Sequence, residues 1–401
     1  MYKYDFDTII DRVNTDSFKW DGTEEYYNES DAIGMWCADM DFACPPPIVE
    51  ALKKRVEHPI YGYTLRTERF KDACFNWLKK RYNCNIKKEW LAFAPPGVIY
   101  AIHVMLNIIS KPGEGVMVHM PNYDPLFDLV VNGGRKLIRC PLYYDGNKFR
   151  IDFELMEKQL NEENPKALIM SSPHNPTGRV WEKEELEKIN ELCIKHNVYI
   201  FMDEIHADFV DKKKNHIAFS NLGEEAAKNA MICYSANKGF NLGGLQMSTL
   251  IIADEEKRNL FNNEMRIAQT RLDTTFGAVA TEVAYTDHRC EEWLDEAIQY
   301  VEENKDFTEK FLKEKLPCIK MIRTEGTYLG WFDCHALNLK GKALEDFMVS
   351  KAKVAFCAGY EFGDEGEYYL RMTMAVPRKL LERALNQVKE AVDSVMLDML
   401  I

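Results

Sequence analysis

The chain has 401 residues, 46% of them hydrophobic and 12% aromatic, so its apolar side chains can fill one large core or two. Asp and Glu outnumber Lys and Arg 64 to 51, and the formal charge of −13 disfavours a nucleic-acid-binding surface, which needs a basic face. No basic segment leads into an apolar run near residue 1, and no apolar stretch is long enough for a bilayer span. We therefore expect a cytoplasmic protein with no membrane partner.

The cysteine and histidine patterns argue against disulfides and metal sites. The eleven cysteines are odd in number and include no C-x-x-C pair, and the nine histidines show no H-E-x-x-H spacing. Buried, reduced thiols are the ordinary outcome for such cysteines. We expect neither a disulfide framework nor a bound metal.

From about residue 91 to 254, short β-rich runs alternate with amphipathic segments, which is the pattern of βα units around a mostly parallel sheet. The segment EKEELEKINELCIKHN places Leu186, Ile189 and Cys193 on one helical face, and it predicts a helix that covers this sheet. The predicted strands are 91–94, 115–119, 167–171, 198–203, 231–234 and 249–253.

After Thr286 the pattern changes to long, charged helical stretches, then a mixed segment over 321–375, then an amphipathic helix from Arg378. These features predict a smaller α+β domain. We assign residues 50–285 to a large α/β domain, and residues 1–49 with 286–401 to the small domain. We expect a long helix to cross the boundary near residue 286.

Three loops that follow predicted strands carry polar residues to one sheet edge, where open α/β sheets bind ligands. SSPHNPTG contains Asn175 among residues that resist regular structure, although a purely structural turn explains it as well. VYIFMDEIHADFV delivers Asp203 and His206, with a helix cap or an ion pair as the alternative role for the carboxylate. MICYSANKGF places Lys238 in a glycine-flanked turn, where a solvated surface lysine is the alternative.

The order Asn-Pro-x-Gly, Asp-x-x-His and Ser-x-x-Lys resembles the fold-type I pyridoxal 5'-phosphate (PLP) enzymes of the aspartate aminotransferase superfamily, over nearly the whole chain. RVNTDSFKWD, MWCADMDF and YGYT are similar to the MalY/PatB branch, known for cystathionine β-lyase activity. The resemblance implies a mostly parallel central sheet flanked by helices, a smaller α+β domain, and PLP as cofactor.

The resemblance also implies roles for the residues of the three loops. Lys238 matches the lysine that binds the cofactor as a Schiff base. Asp203 matches the carboxylate that pairs with the pyridine nitrogen, where it favours the protonated, electron-accepting ring. Asn175 and His206 match positions near the phenolic oxygen of the cofactor.

The phosphate group of the cofactor requires amides and hydroxyls, and APPGVIYAIHVML supplies a glycine turn that opens a helix at Gly97 and Val98. By resemblance, Ser235 also contacts the phosphate. Tyr61 matches a residue that reaches the phosphate of the neighbouring subunit, which implies a homodimer. Gln246 stands where many members of the superfamily have an arginine, so less charge holds the phosphate.

Two further residues complete the implied site. Tyr123 in PNYDPLF matches the aromatic residue that stacks on the cofactor ring, with a core aromatic as the alternative. Arg371 in YYLRMTMAVP lies in an alternating strand and matches the arginine that holds the substrate α-carboxylate bidentately. Asn175 is also assigned to substrate binding. A strand arginine without such a role is usually exposed.

These roles imply that Lys238 removes the α-proton of an amino acid, after which the reaction divides. The resemblance favours β-elimination from cystathionine or a cysteine derivative, giving pyruvate, ammonia and a thiol. Transamination of amino acids is the first alternative, and a PLP-binding regulatory protein is the second. A nucleotide-binding protein is disfavoured because neither G-x-G-x-x-G nor a P-loop occurs.

Overall fold

The computed structural model describes residues 2–398. Its fourteen strands, β1 to β14, are Ile33–Gly34, Leu91–Phe93, Gly115–Met120, Lys136–Tyr144, Phe149–Ile151, Ala167–Ser171, Tyr199–Asp203, Ala230–Tyr234, Thr249–Ile252, Lys320–Ile322, Leu329–Asp333, Val354–Ala355, Cys357–Ala358 and Tyr369–Thr373. They form an eight-stranded sheet, a four-stranded sheet and a two-stranded pair.

The α-helices are α1 to α14 in chain order: Gly22–Tyr27, Pro46–Val56, Glu68–Tyr82, Val98–Ile109, Asp124–Asn132, Phe153–Glu163, Lys183–Lys195, Glu224–Lys228, Ala236–Gly239, Glu255–Ile267, Thr275–Thr286, His288–Lys315, Gly341–Ser350 and Arg378–Asp398. Six short 3-10 helices occur at Lys88–Trp90, Phe219–Leu222, Gly243–Leu245, His335–Leu337, Gly359–Phe362 and Asp364–Gly366. Within residues 2–398, no helix combines the length and the apolar character that a membrane crossing requires.

The eight-stranded sheet has the order β2-β9-β8-β7-β6-β3-β4-β5. Its centre, from β8 to β4, is parallel, and its edge pairings are antiparallel. Leu168 and Ile200 enter one buried cluster, while their chain neighbours Ile169 and Phe201 enter a cluster on the opposite face. Burial of both faces explains why these strands read as continuous apolar runs. The predicted fold class is confirmed.

All six predicted strands are present, with ends that differ by no more than one residue from those expected. The helix predicted after β6 is α7, and its expected apolar face is buried. Two strands of the eight-stranded sheet, β4 and β5, were not predicted. β4 reads KLIRCPLYY, and its Lys136, Arg139 and Pro141 interrupt the apolar pattern on which strand prediction depends.

The second sheet is antiparallel, in the order β10-β11-β14-β13, and lies within the mixed segment expected after residue 320. The N-terminal segment joins this part of the chain, because β1 pairs with β12 and the Asp41 amide donates to the Ala375 carbonyl. The expectation of a helix crossing residue 286 is wrong. α11 ends at Thr286 and α12 starts at His288, because the Asp287 carboxylate accepts from the Arg289 amide and caps a new helix. The domain limits themselves remain a prediction.

Candidate active site

The carboxyl ends of β6, β7 and β8 open into a cavity of about 310 Å³. Because neighbouring parallel strands end at the same sheet edge, the loops after them meet there. This volume lies in the range of small-ligand sites. The cavity is lined by Ala38, Pro96, Gly97, Val98, Ile99, Tyr123, Leu126, Ser171, Asn175, Asp203, Ile205, His206, Asn237, Lys238, Gly243 and Gln246.

One wall of the cavity is the N-terminus of α4, formed by Gly97, Val98 and Ile99. Gly97 has φ 105°, a conformation that favours glycine, and no side chain caps this helix end. The first amides of a helix lack intrahelical partners and carry the positive end of its dipole. This wall therefore suits an anion such as a phosphate group.

The amine of Lys238 projects from the short helix α9, whose start is capped by Ser235 through the Asn237 amide. Its Nζ donates to the carbonyl of Ala38 at 2.7 Å. Burial lowers the pKa of Lys238, and the positive charge of Arg371 lowers it further. A lysine in this setting holds its neutral, nucleophilic amine at lower pH than an exposed one. The alternative of a solvated surface lysine is wrong.

Asp203 ends β7 and is 6% exposed. Burial raises the pKa of its carboxyl to about 7, although a hydrogen bond from the Ile205 amide at 3.0 Å acts in the opposite direction. Within residues 2–398 it forms no ion pair, so the ion-pair alternative is not seen. A buried carboxyl in this state is suited to receive a cationic ring nitrogen, which would favour its ionised form.

His206 and Tyr123 line the cavity beside these two groups. His206 is buried, its Nδ1 has no hydrogen-bond partner in the described chain, and burial holds its pKa well below the usual value. Burial raises the pKa of Tyr123 to about 12. The site therefore contains a neutral imidazole with a free ring nitrogen and a neutral phenol.

Arg371 lies in β14 and is only 3% exposed, so it is not a surface arginine. Its guanidinium donates to the side-chain oxygen of Asn175 at 3.1 Å and to the carbonyl of Trp36 at 3.0 Å. Its Nε has no partner in the described chain. A buried guanidinium with a free donor is suited to bind an anion, and Asn175 connects it to the cavity.

Three of the residues expected at the site do not line the cavity: Arg371, which contacts its lining residue Asn175, Ser235 and Tyr61. Ser235 is buried beside it, but its hydroxyl donates to the Met247 carbonyl. Tyr61 is 54% exposed, and its hydroxyl donates to the Val56 carbonyl. Gln246, in contrast, does line the cavity.

The contact made by Ala38 is not predictable from residue types. Its carbonyl accepts hydrogen bonds from both Lys238 and the Tyr328 hydroxyl, the latter at 2.8 Å. A backbone carbonyl has no residue-type signal, although MWCADMDF, which contains Ala38, was recognised as a motif.

These features fit PLP. A helix end suited to an anion, an unpaired buried carboxyl, an aromatic side chain and a half-buried lysine border one cavity. They correspond to the phosphate, the ring nitrogen, the ring face and the aldehyde of the cofactor.

Comparisons with known proteins agree with this geometry. The family model for aminotransferase class I and II matches residues 31–388. The chain is 36% identical over 386 residues to the cystathionine beta-lyase PatB of Bacillus subtilis, covering 96% of this chain and 99% of PatB. It also resembles a PLP-bound protein of Clostridium difficile 630 that is named an aminotransferase, with a TM-score of 0.94, 40% identity and coverage of 97% and 100%. Cystalysin from Treponema denticola, which contains PLP, matches with a TM-score of 0.93, 35% identity and coverage of 98% and 99%.

Proposed function

The chain belongs to the aminotransferase class I and II family, and from this premise we propose that it is a PLP-dependent carbon–sulfur β-lyase. Its substrates are cystathionine and cysteine-type amino acids, and its products are pyruvate, ammonia and a thiol. The observation that carries the proposal is that the half-buried Lys238 and the buried Asp203 line one cavity. The similarity to a cystathionine beta-lyase supports the choice of reaction.

When bound, PLP supplies an electron sink for the negative charge that develops at the substrate α-carbon. Gly97 and Val98 would hold its phosphate at the α4 N-terminus. Asp203 would pair with the ring nitrogen, and Tyr123 would lie against the ring. The Lys238 amine would bind the aldehyde carbon.

The side chains of the chain position the substrate and move its proton. Arg371 binds the α-carboxylate with its free Nε–H and adjacent guanidinium donors. Once the substrate amine has displaced it from the aldehyde carbon, the Lys238 amine takes the α-proton, and its lowered pKa favours the neutral form needed for this step. Once this proton has left, a thiolate can depart from the β-carbon. Water then hydrolyses the remaining three-carbon enamine to pyruvate and ammonia.

Aminotransferase activity is the second candidate, favoured by the 40% identity to a protein named an aminotransferase. Both reactions begin with the same proton transfer. The two are distinguished by supplying L-cystathionine without a keto acid and following pyruvate and free thiol. A lyase releases both over many turnovers. An aminotransferase leaves the carbon–sulfur bond intact and releases neither, and it consumes cystathionine beyond one turnover only when a keto acid is added.

We infer that the enzyme is a homodimer. A loop between α2 and α3 exposes several large apolar side chains, and Thr64 in this loop forms a β-bridge with Asp273. Contiguous exposed apolar surface of this kind marks an association site. In a symmetric dimer this loop would bring Tyr61 to the phosphate of the partner. The exposed side chains are Ile60, Tyr61, Tyr63, Leu65 and, near the bridge, Leu272.

The thiols support a cytoplasmic location. All eleven cysteines are free, and eight of them are buried. Free thiols persist in reducing compartments. We propose that the enzyme acts in the cytoplasm.

A further inference from the structure

Residues 36–42, the segment WCADMDF, form a strap that contributes two backbone carbonyls to the site. The Trp36 carbonyl accepts from Arg371 at 3.0 Å, and the Ala38 carbonyl accepts from Lys238 at 2.7 Å. The position of this strap therefore bears on both the proposed proton acceptor and the proposed substrate anchor.

Asn241 lies just after α9, three residues beyond Lys238, and it connects this part of the chain to the strap. Its side-chain oxygen accepts from the Met40 amide at 3.1 Å. Its Nδ2 donates to the Met40 carbonyl at 3.0 Å and to the Phe42 carbonyl at 3.1 Å. Both polar ends of the Asn241 amide are thus used on the strap.

The opposite side of the strap is held by charge. Lys19, which is fully buried, donates to Asp41 at 2.7 Å. Arg12 donates to Asp41 and to Asp39, each at 2.7 Å. Two cations and two carboxylates balance, so the network anchors the strap without a buried net charge.

We propose that Asn241 is a positioning residue for the reaction: it holds the Ala38 carbonyl against the Lys238 amine. This inference rests on the proposed function, in which Lys238 bears the cofactor. A carbonyl acceptor binds the ammonium form more strongly than the neutral amine, so it favours the protonated state. Loosening the strap should therefore make Lys238 deprotonate at lower pH.

Other groups around Lys238 also influence its protonation. Asp39, Cys37 and Asp203 favour the ammonium form and Arg371 disfavours it, while the burial of His206 and Tyr328 keeps both of these uncharged. All six side chains remain in an Asn241 variant. A change in Lys238 titration then reports the position of the strap.

The test is Asn241→Gly in the full chain. Asn241 has φ 58°, which glycine adopts without strain, so the turn is kept while the three amide hydrogen bonds are lost. After removal of bound cofactor, the rate of PLP incorporation is followed by absorbance across pH. Because the neutral amine is the form that reacts, the midpoint of the curve of rate against pH reports the pKa of Lys238. Titration of free PLP also affects this curve, but it does so equally for every variant. We expect the midpoint to fall by about one pH unit.

The matched control is Asn229→Gly. Asn229 also donates its side-chain amide to a backbone carbonyl, that of Val198 at 2.9 Å, but at the amino ends of β7 and β8, opposite the cavity. We expect it to leave the midpoint unchanged. An unchanged midpoint in Asn241→Gly, or an equal shift in Asn229→Gly, would overturn the proposal.

A second variant decides the matter if Asn241→Gly does not fold. Tyr328→Phe removes the second hydrogen-bond donor to the Ala38 carbonyl, so this carbonyl interacts more strongly with Lys238. The ammonium form of Lys238 is then stabilised, and the pH midpoint should rise. A midpoint that does not rise overturns the proposal. Mapping of a borohydride-fixed cofactor in the wild-type chain separates this inference from the proposed function, because a label away from Lys238 contradicts both.

Discussion

Arg371 donates a hydrogen bond of 3.1 Å to the side-chain oxygen of Asn175, which lies 196 positions earlier in the chain. The bond joins the four-stranded sheet to the loop that follows β6 of the large sheet. If Arg371 holds a substrate carboxylate as proposed, this carboxylate lies next to the cavity that Lys238 lines. The bond thus connects a side chain of the C-terminal sheet to a cavity built on the other sheet.

Replacement of Arg371 by alanine should raise KM for amino acids about 10- to 100-fold, because charged hydrogen bonds to the carboxylate are lost. Cofactor retention should change little. Arg371→Lys is the control. It keeps the charge but not the planar fork, so its KM should lie between those of the wild type and the alanine variant. Steady-state kinetics measure KM for both variants. An unaltered KM in the alanine variant would place Arg371 outside the substrate site.

Replacement of Asp203 by asparagine should leave some cofactor bound but slow α-proton removal by about 100-fold or more, because an amide does not hold the ring nitrogen protonated. Single-turnover absorbance spectra measure this step. Wild-type rates in the variant would show that Asp203 is a structural residue.

The same substitution should alter the pH dependence of stability in the cofactor-free protein. Burial raises the folded-state pKa of Asp203 to about 7, so the folded chain retains a proton that the unfolded chain has lost between about pH 4 and 7. Stability is therefore lost as pH rises through this window, by up to about 1.4 kcal/mol per pH unit. Relative to Asp203→Asn, the wild-type Tm should fall between pH 5 and pH 7. A constant Tm difference would contradict the raised pKa.

The exposed apolar loop between α2 and α3 is the proposed dimer interface, so a charge placed in this loop should weaken dimer formation. Leu65 is 80% exposed, and Leu65→Glu should produce monomers with weakened cofactor binding, because a charge in the dimer interface is costly. Tyr143→Glu introduces the same charge at another half-exposed side chain, on β4, and should leave the dimer intact. Light scattering after size-exclusion chromatography compares them. Dimers in both variants would count against this interface.

Much of the fold was predictable because the central strands are buried on both faces and therefore read as apolar runs. The meeting of Asn175, Asp203 and Lys238 followed from the rule that parallel strands end at one sheet edge. The strand β4 was missed because Lys136 and Arg139 interrupt its pattern.

Other parts of the site depend on tertiary packing. The Ala38 carbonyl reaches Lys238 across 200 positions of the chain, and main-chain groups leave no residue-type pattern. The proposed place of Tyr61 requires a second subunit, which the pattern of one chain does not define. Its proposed role therefore remains a prediction.

The central claim is that Lys238 bears PLP, and reductive trapping tests it most directly. The purified enzyme is reduced with borohydride, digested, and its cofactor-labelled peptide is identified by mass spectrometry, with Lys238→Ala treated in parallel. Lys238 lines the cavity, and its lowered pKa favours the reactive amine. We predict one labelled peptide containing Lys238, no label in the variant, and no turnover by the variant. A label on another lysine, or turnover by Lys238→Ala, would contradict the account.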